Sequence, residues 1–491
     1  MTIGRGTSKS RVLMALLAVA ASVLAGGVRP VPVEAAHTKF TMPLRIPPVL
    51  TDPDVTLTAQ EADVQVLPGA PTRMWTYNGT FPGPTIRWTT GETKTLTLVN
   101  DLPPEAGDLT LHHHGNHSAP SEDGQPHSYL VPRGGTRTYT YGLLEDGQPE
   151  RAATQWYHDH RMDVTGRNVW MGLAGMSILD DRFDKSLPLP SGKFDVPLMI
   201  AERKFDANNQ IPYTFRPHGP ITDHFLVNGV AEPYFEVAAR KYRFRILNAG
   251  NVGFSNFTLS NNQDMIQIGT DSGLLPAPVV RKRFFLGAGE RIEVVIDFSG
   301  RVGENIVLRT TAGQDVMQFR VTHTHPDHSS VPQQLRPAPT FGPPDETRIW
   351  RLGEIVDPVK GSIFTINGNT FDHERVDAFP KLNSTEKWIF VNESIDSHLM
   401  HIHDVDWRLL SRNGQPPPEH EAGLKETFLI GIGGTLEVTS KFTDHVGRYV
   451  FHCHLLEHED QSMMAQFEVV PAGGSARHAH RRHHASSARR R

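Results

Sequence analysis

Cys453 is the only cysteine in 491 residues. It sits between His452 and His454 in "FHCHLLEHEDQSMM", with His458 five residues on and Met463 ten residues on. Three more histidine clusters accompany it: "HHHG" at 112 to 115, "HDH" at 158 to 160 and "HLMHIH" at 398 to 403. Along a β-strand alternate side chains share a face, so a His-x-His pair sends two imidazoles to one side and the intervening residue to the other. His112 with His114, His158 with His160, His401 with His403, and His452 with His454 therefore make four convergent pairs, eight imidazoles able to meet at one multinuclear metal site. Residues of opposite parity make a second set. Cys453 points away from its neighbours and His398 away from His401 and His403; His458 and Met463 complete a set of two histidines, one cysteine and one methionine. Such donors mark a type 1, blue copper site, with a weak axial thioether. The thiolate must be deprotonated, and the metal ensures it. Cys453 would hold one copper while its covalent neighbours hold those of the cluster, a short through-bond path for an electron.

These side chains need strands to aim them, and the chain supplies the pattern. "TKTLTLVN" (93 to 100), "RTYTYGL" (137 to 143), "KYRFRILN" (241 to 248), "RIEVVIDF" (291 to 298) and "TLEVTSKF" (435 to 442) alternate with period two, and 37 prolines and 42 glycines punctuate the chain. This is the pattern of β-sandwiches with many short strands, not of strands interleaved with helices. Asn78-Gly79, Asn228-Gly229 and Asn367-Gly368 recur at spacings of 150 and 139 residues, each followed by a strand ending in Asn100, Asn248 or Asn392. Three related sandwiches are expected, at 37–182, 183–330 and 331–472. Near the end of each, "QWYHDH" (155 to 160), "ENIVLRT" (304 to 310) and "RYVFHCH" (448 to 454) read as the same strand. The middle copy lacks the histidines, which assigns metal chemistry to units one and three and leaves unit two as a spacer or substrate wall.

Length leaves room for two to four domains with large cores, and one cysteine excludes an intramolecular disulfide. Arg5, Lys9 and Arg11 precede an uncharged run from Val12 to Val28 and a small-residue exit at Ala35-Ala36, so residues 1–36 read as a cleaved export signal. No other stretch is apolar enough to span a bilayer, and the body is expected outside the cytoplasm, secreted or in the cell envelope. The tail at 473–491 carries six arginines and no acid and reads as disordered. Removing the basic ends from the formal net charge of −5 leaves a body of about −14, a poor partner for nucleic acid.

From about residue 40 to 470 these motifs resemble those of the multicopper oxidases, most closely the spore-coat-laccase-like and bilirubin-oxidase-like branch, through "NGTFPGPTI", "WYHDHRMDVTGRNVWMGLAG" and "HCHLLEHEDQSMM". The resemblance implies an all-β chain of three cupredoxin-like Greek-key sandwiches binding four copper ions. His398, Cys453, His458 and Met463 would hold type 1 copper, and His112 and His401 type 2. His114, His158, His160, His403, His452 and His454 would hold the type 3 pair. It also gives proton-carrying roles to Asp123 and Glu459. His113 stands where the family more often has an apolar or aromatic residue, and its parity removes it from the ligands. Met464 neighbours the axial position, but the family spacing favours Met463. Trp156 and Trp407 are expected to pack a core. The implied reaction oxidises a phenol or aromatic amine near the edge of His458 and reduces O₂ to water at the cluster. Bilirubin, or Cu(I), Fe(II) or Mn(II), is the alternative reductant, and a non-catalytic copper carrier the alternative class. With every motif in one chain, a monomer can be complete.

Overall fold

The alternating segments form strands that pair into three successive sandwiches in the computed structural model, which describes residues 39–358 and 361–473. The expected export signal at 1–36 and the tail from 474 onward lie outside the described residues. In the first sandwich, a five-stranded sheet runs in the order Val49–Leu50, Gly83–Thr89, Ala174–Asp180, Ala153–Asp159, Leu111–His114. It packs on a four-stranded sheet, and Trp75, Leu96 and Tyr139 from that sheet meet Trp88, Tyr157 and Leu179 in a shared core. A seven-stranded and a five-stranded sheet form the second sandwich around Phe244, Phe257, Phe298 and Phe319. A six-stranded and a four-stranded sheet form the third around Trp350, Trp388, Trp407 and Phe451. A further apolar cluster joins units one and two, with Trp156, Trp170 and Met176 against Met199, Leu226 and Leu247.

The repeat visible in the turns is built from the same hydrogen bonds three times. Asn78, Asn228 and Asn367 all have positive φ (55°, 48° and 52°), as do the glycines that follow, the backbone that tight primed turns require and that Asn-Gly tolerates. Each asparagine then reaches a neighbouring strand. Asn78 Oδ1 accepts from the amide of Thr58 at 2.7 Å, Asn228 Oδ1 from Met199 at 2.8 Å, and Asn367 Oδ1 from Arg351 at 2.8 Å. The strands Ala153–Asp159, Asn305–Thr310 and Gly447–Cys453 occupy equivalent central places in their sheets. Each lies between an earlier strand of its unit and the one that follows it: Leu111–His114, Phe254–Leu259 and His398–Ile402 on one side, Ala174–Asp180, Asp315–Thr324 and Met464–Val469 on the other. In units one and three, both central strands and their earlier neighbours carry the histidine motifs. Among the described residues no helix is long and apolar enough to cross a membrane.

Candidate metal centre

Register decides which imidazoles meet. His158 pairs opposite His112, and Trp156 opposite His114, while His113 pairs with Tyr157. Directly opposed residues of an antiparallel pair share a face, so His112, His114 and His158 lie on one side of unit one. His113 lies on the other, packed edge-on against Trp88 and Tyr141. In unit three His401 opposes His452, Met400 opposes Cys453, and His452 opposes Met464. Met464 therefore shares the face of His452. Met463, buried in one core cluster with Cys453, is on the thiol's side, and its carbonyl accepts the Cys453 amide at 3.0 Å.

The two faces of unit three serve two ligand sets. On the first, His398 Nδ1 and His458 Nδ1 are 3.2 Å apart, and Cys453 Sγ lies 3.6 and 3.7 Å from them. A point equidistant from all three atoms is about 2 Å from each, the length of a metal–nitrogen bond. His398 donates Nε2–H to Ser394 Oγ at 2.7 Å, which leaves the Nδ1 lone pair for a metal. All three residues are buried. Burial pushes the Cys453 thiol up to about 12 and His398 down to about 3. Neutral imidazoles are ligand-competent as they stand, whereas the thiol needs a cation to release its proton.

On the other face the eight imidazoles converge, all buried. His112 Nε2 faces His401 Nε2 at 3.3 Å, and His403 Nε2 faces His452 Nε2 at 3.2 Å. Their opposite nitrogens are already committed. His112 donates Nδ1–H to the carbonyl of Asp123 (2.6 Å), His401 to that of Glu426 (3.2 Å), His452 to that of Cys453 (3.1 Å), and His403 to Asp123 Oδ2 (2.8 Å). Each facing pair therefore opposes two lone pairs, an arrangement that a cation between them resolves. His158 donates Nδ1–H to the Asp159 carbonyl at 2.9 Å. His114 instead donates Nε2–H to Glu426 Oε1 at 3.0 Å and so presents Nδ1. His158 Nε2, His160 Nε2, His114 Nδ1 and both nitrogens of His454 are buried without a protein hydrogen bond. Burial first, and then the neighbouring imidazoles, hold His112, His114, His401, His403 and His454 well below the usual histidine range. The donor sets fit copper: thiolate with imidazole for one ion, imidazole alone for the others.

Two carboxylates face the cluster. Asp123 contacts His403 and His112 and accepts from Gln125 Nε2 at 2.9 Å; burial pushes it up to about 7. Glu459 lies 3.0 Å from His160 Nδ1 and 3.2 Å from His452 Nδ1, and accepts from Thr165 Oγ1 at 2.7 Å. Burial pushes its carboxyl up, but His160 and His452 more than offset that and hold it below the usual range.

Models of the family described as multicopper oxidase match residues 58–184 and 342–473. A laccase of Bacillus stratosphericus is 34% identical over 470 residues, covering 82% of this chain and 91% of that one. The chain belongs to the multicopper oxidase family. A bilirubin oxidase of Albifimbria verrucaria is 33% identical over 489 residues, covering 88% of this chain and 82% of its own. A multi-copper oxidase structure from Pediococcus acidilactici superposes with a TM-score of 0.81 at 31% identity, covering 91% of this chain and 95% of that one. This multicopper oxidase is thus a laccase-like, copper-dependent oxidoreductase with O₂ as acceptor, and its sandwiches are cupredoxin folds.

Trp156 packs a core, as expected, and its ring also stacks on His158 at 4.2 Å and lies 5.1 Å from His114, walling the cluster. Unit two, expected as a spacer or substrate wall, also touches the cluster: Gly289 runs against the His454 ring and Arg291 binds Glu426 behind His114. No motif announced Glu426 or Arg291. The only sequence signal was the arginine that opens the alternating segment "RIEVVIDF".

Proposed function

We propose that the chain is an exported laccase-type oxidase that takes single electrons from phenols or aromatic amines and reduces O₂ to water. It would hold four copper ions: type 1 at His398, Cys453, His458 and Met463, type 2 at His112 and His401, and a type 3 pair. His114, His158 and His454 would hold one type 3 ion, and His160, His403 and His452 the other. The observation that carries this reading is the junction at Cys453. One strand end gives its thiol to the first ligand set, while both flanking imidazoles belong to the second. Copper, when bound, supplies one-electron chemistry at the first set and the reduction of O₂ at the second.

The protein supplies position and protons. His458 turns Nε2 toward Asp396 Oδ2, 3.9 Å away, and Asp396 is held by His218 Nδ1 at 2.7 Å. Both partners are reachable from solvent, so the hydroxyl or amine of a substrate can hydrogen-bond Asp396 beside the imidazole edge. Phe364 packs on His458 at 4.1 Å and on His398 at 5.1 Å, an apolar ring against both imidazoles of the first set. Asp123, whose carboxyl burial favours in the protonated form, can give a proton beside the cluster imidazoles, and Glu459, held ionised by His160 and His452, can receive one. A cavity of about 10 Å³ lies against His112 and His401, lined also by Asp404, Asp406 and His117; that is close to the room one water needs. The three units would be 37–182, 183–330 and 331–472, with export through 1–36 and the basic tail at 473–491 as an appendage. A monomer contains every ligand.

Oxygen uptake by the copper-loaded mature chain, with 2,6-dimethoxyphenol as reductant, tests the reading. Uptake without oxygen return on adding catalase supports reduction to water. Absence of uptake in a blue, fully loaded protein moves the reductant to a metal ion or to a narrower organic donor. The metal-ion reading is favoured by the Asp396–His218 pair, since carboxylate and imidazole together suit Mn(II) or Fe(II); Cu(I), which prefers softer donors, is the third donor to try. Asp396→Asn is expected to raise KM for the phenol about fivefold, about 1 kcal/mol for a hydrogen bond whose acceptor loses its charge, with kcat and the blue absorption unchanged. An unchanged KM would remove Asp396 from the substrate site.

A further inference from the structure

We infer that Arg291, from the unit that supplies no ligand, acts through Glu426 as a positioning residue of the imidazole cluster, and that the copper affinity and EPR signature of the cluster change when this pair is broken. The inference rests on the four-copper reading above.

A guanidinium has five N–H donors in a fixed fork, and every one of them is used. Arg291 Nε donates to the Thr154 carbonyl at 2.8 Å, Nη1 to the Gly289 carbonyl at 3.0 Å and to Glu426 Oε1, and Nη2 to the Asp271 carbonyl at 3.2 Å and to Glu426 Oε2 at 3.0 Å. Thr154 belongs to the strand Ala153–Asp159 that carries His158, and Glu426 precedes the strand Thr427–Ile430 that pairs with His401. One buried side chain thereby touches all three units.

Glu426 passes this constraint to two imidazoles. Its Oε1 accepts His114 Nε2–H at 3.0 Å, and its main-chain carbonyl accepts His401 Nδ1–H at 3.2 Å. The first contact fixes His114 in the tautomer that presents Nδ1, the opposite choice from His112, His158 and His401. The two rings then stack at 3.7 Å with 12° between their planes. Ser272 Oγ donates to Glu426 Oε2 at 3.1 Å, and Asp271 Oδ1 accepts the Arg291 amide at 2.8 Å, so unit two supports both partners.

The backbone leaves room for this arrangement and little else. A Cβ on Gly115, directly after His114, would lie 2.6 Å from Arg291 Nη2, and one on Gly289 would lie 3.0 Å from the His454 ring. Both glycines have positive φ, +88° and +83°, which side-chain-bearing residues adopt only under strain. Lysine cannot reproduce the fork, because its ammonium is a point charge with three donors.

A buried ion pair that merely stapled the units would affect thermal stability and leave the metal spectra alone. Positioning predicts a spectroscopic change. Glu426→Gln and Arg291→Lys are made in the full copper-loaded chain, and copper per chain, blue absorption, the type 2 EPR signal and Tm are measured. Both variants are expected to keep the blue absorption, to hold cluster copper about 10- to 100-fold more weakly, the usual cost of losing an outer partner of a ligand, and to alter the cluster EPR signal, directly at the type 3 ion that His114 would hold and, through the stacked His401 ring, in the type 2 hyperfine pattern. Ser272→Ala removes a single hydrogen bond from Glu426, endangers the fold least, and is expected to shift the same signal. Wild-type copper content and type 2 signal in these variants, whatever their Tm, overturn the inference. A fully loaded wild type without a type 2 signal overturns the four-copper reading instead.

Discussion

Cys453→Ser is expected to abolish the blue absorption and to drop turnover of every reductant to background, while the coppers of the imidazole cluster remain bound. The sulfur is the one soft donor in its set, 3.6 and 3.7 Å from His398 and His458, and an alcohol at that place is a hard, protonated donor that a copper ion binds poorly. The residue is buried and its amide bond to the Met463 carbonyl is a main-chain interaction. Serine therefore preserves the strand end and the directions of His452 and His454. Metal analysis with EPR checks this: cluster copper retained, type 1 signal gone. Retained turnover with a phenol would show that electrons enter elsewhere and would break the link between the two ligand sets. Simultaneous loss of all copper would show instead that the thiol organises the cluster as well.

What the sequence made legible is what a strand encodes locally. Period-two parity separates Cys453 from its flanking histidines and His398 from His401, and the register observed places them on opposite faces as that parity requires. The Asn-Gly turns were legible for the same reason, since positive φ at two successive residues is a local demand met by few residue types. The choice between Met463 and Met464 became physical only with the register of the strand Met464–Val469 against Gly447–Cys453, a long-range fact. Arg291 and Glu426 were not legible at all. They are 135 residues apart in sequence, neither lies in a motif, and a charged residue opening a strand reads as solvated until its partner from another unit is seen. The Asp396–His218 pair, which joins a loop of unit two to one of unit three across 178 residues, was hidden in the same way. Ligands sit where local geometry repeats. The groups that orient them come from wherever the three units happen to close.

Asp123→Asn is expected to lower kcat by about 10²-fold or more, the scale of losing a positioned proton donor, with copper content and blue absorption unchanged. The substitution separates two duties of the residue. Its main-chain carbonyl holds His112 Nδ1–H at 2.6 Å and is untouched by any side-chain change. Its Oδ2 accepts from both His403 Nδ1 and Gln125 Nε2, at 2.8 and 2.9 Å, and an asparagine oxygen at that place can still accept both bonds, which keeps the geometry. What asparagine removes is the capacity to take up and release a proton, at a carboxylate that touches imidazoles of both facing pairs. Stopped-flow measurement tells the two duties apart. Anaerobic bleaching of the blue band by 2,6-dimethoxyphenol should proceed at the wild-type rate, because electron entry at the proposed His458 edge would not involve Asp123. Recovery of the colour on adding O₂ should be slow, because that half of the cycle consumes protons. A variant slow in bleaching would point to disturbed ligand geometry. One that recovers at the wild-type rate would take Asp123 out of the proton path and leave Glu459, with Thr165 as its hydrogen-bond partner, as the carboxylate serving the cluster.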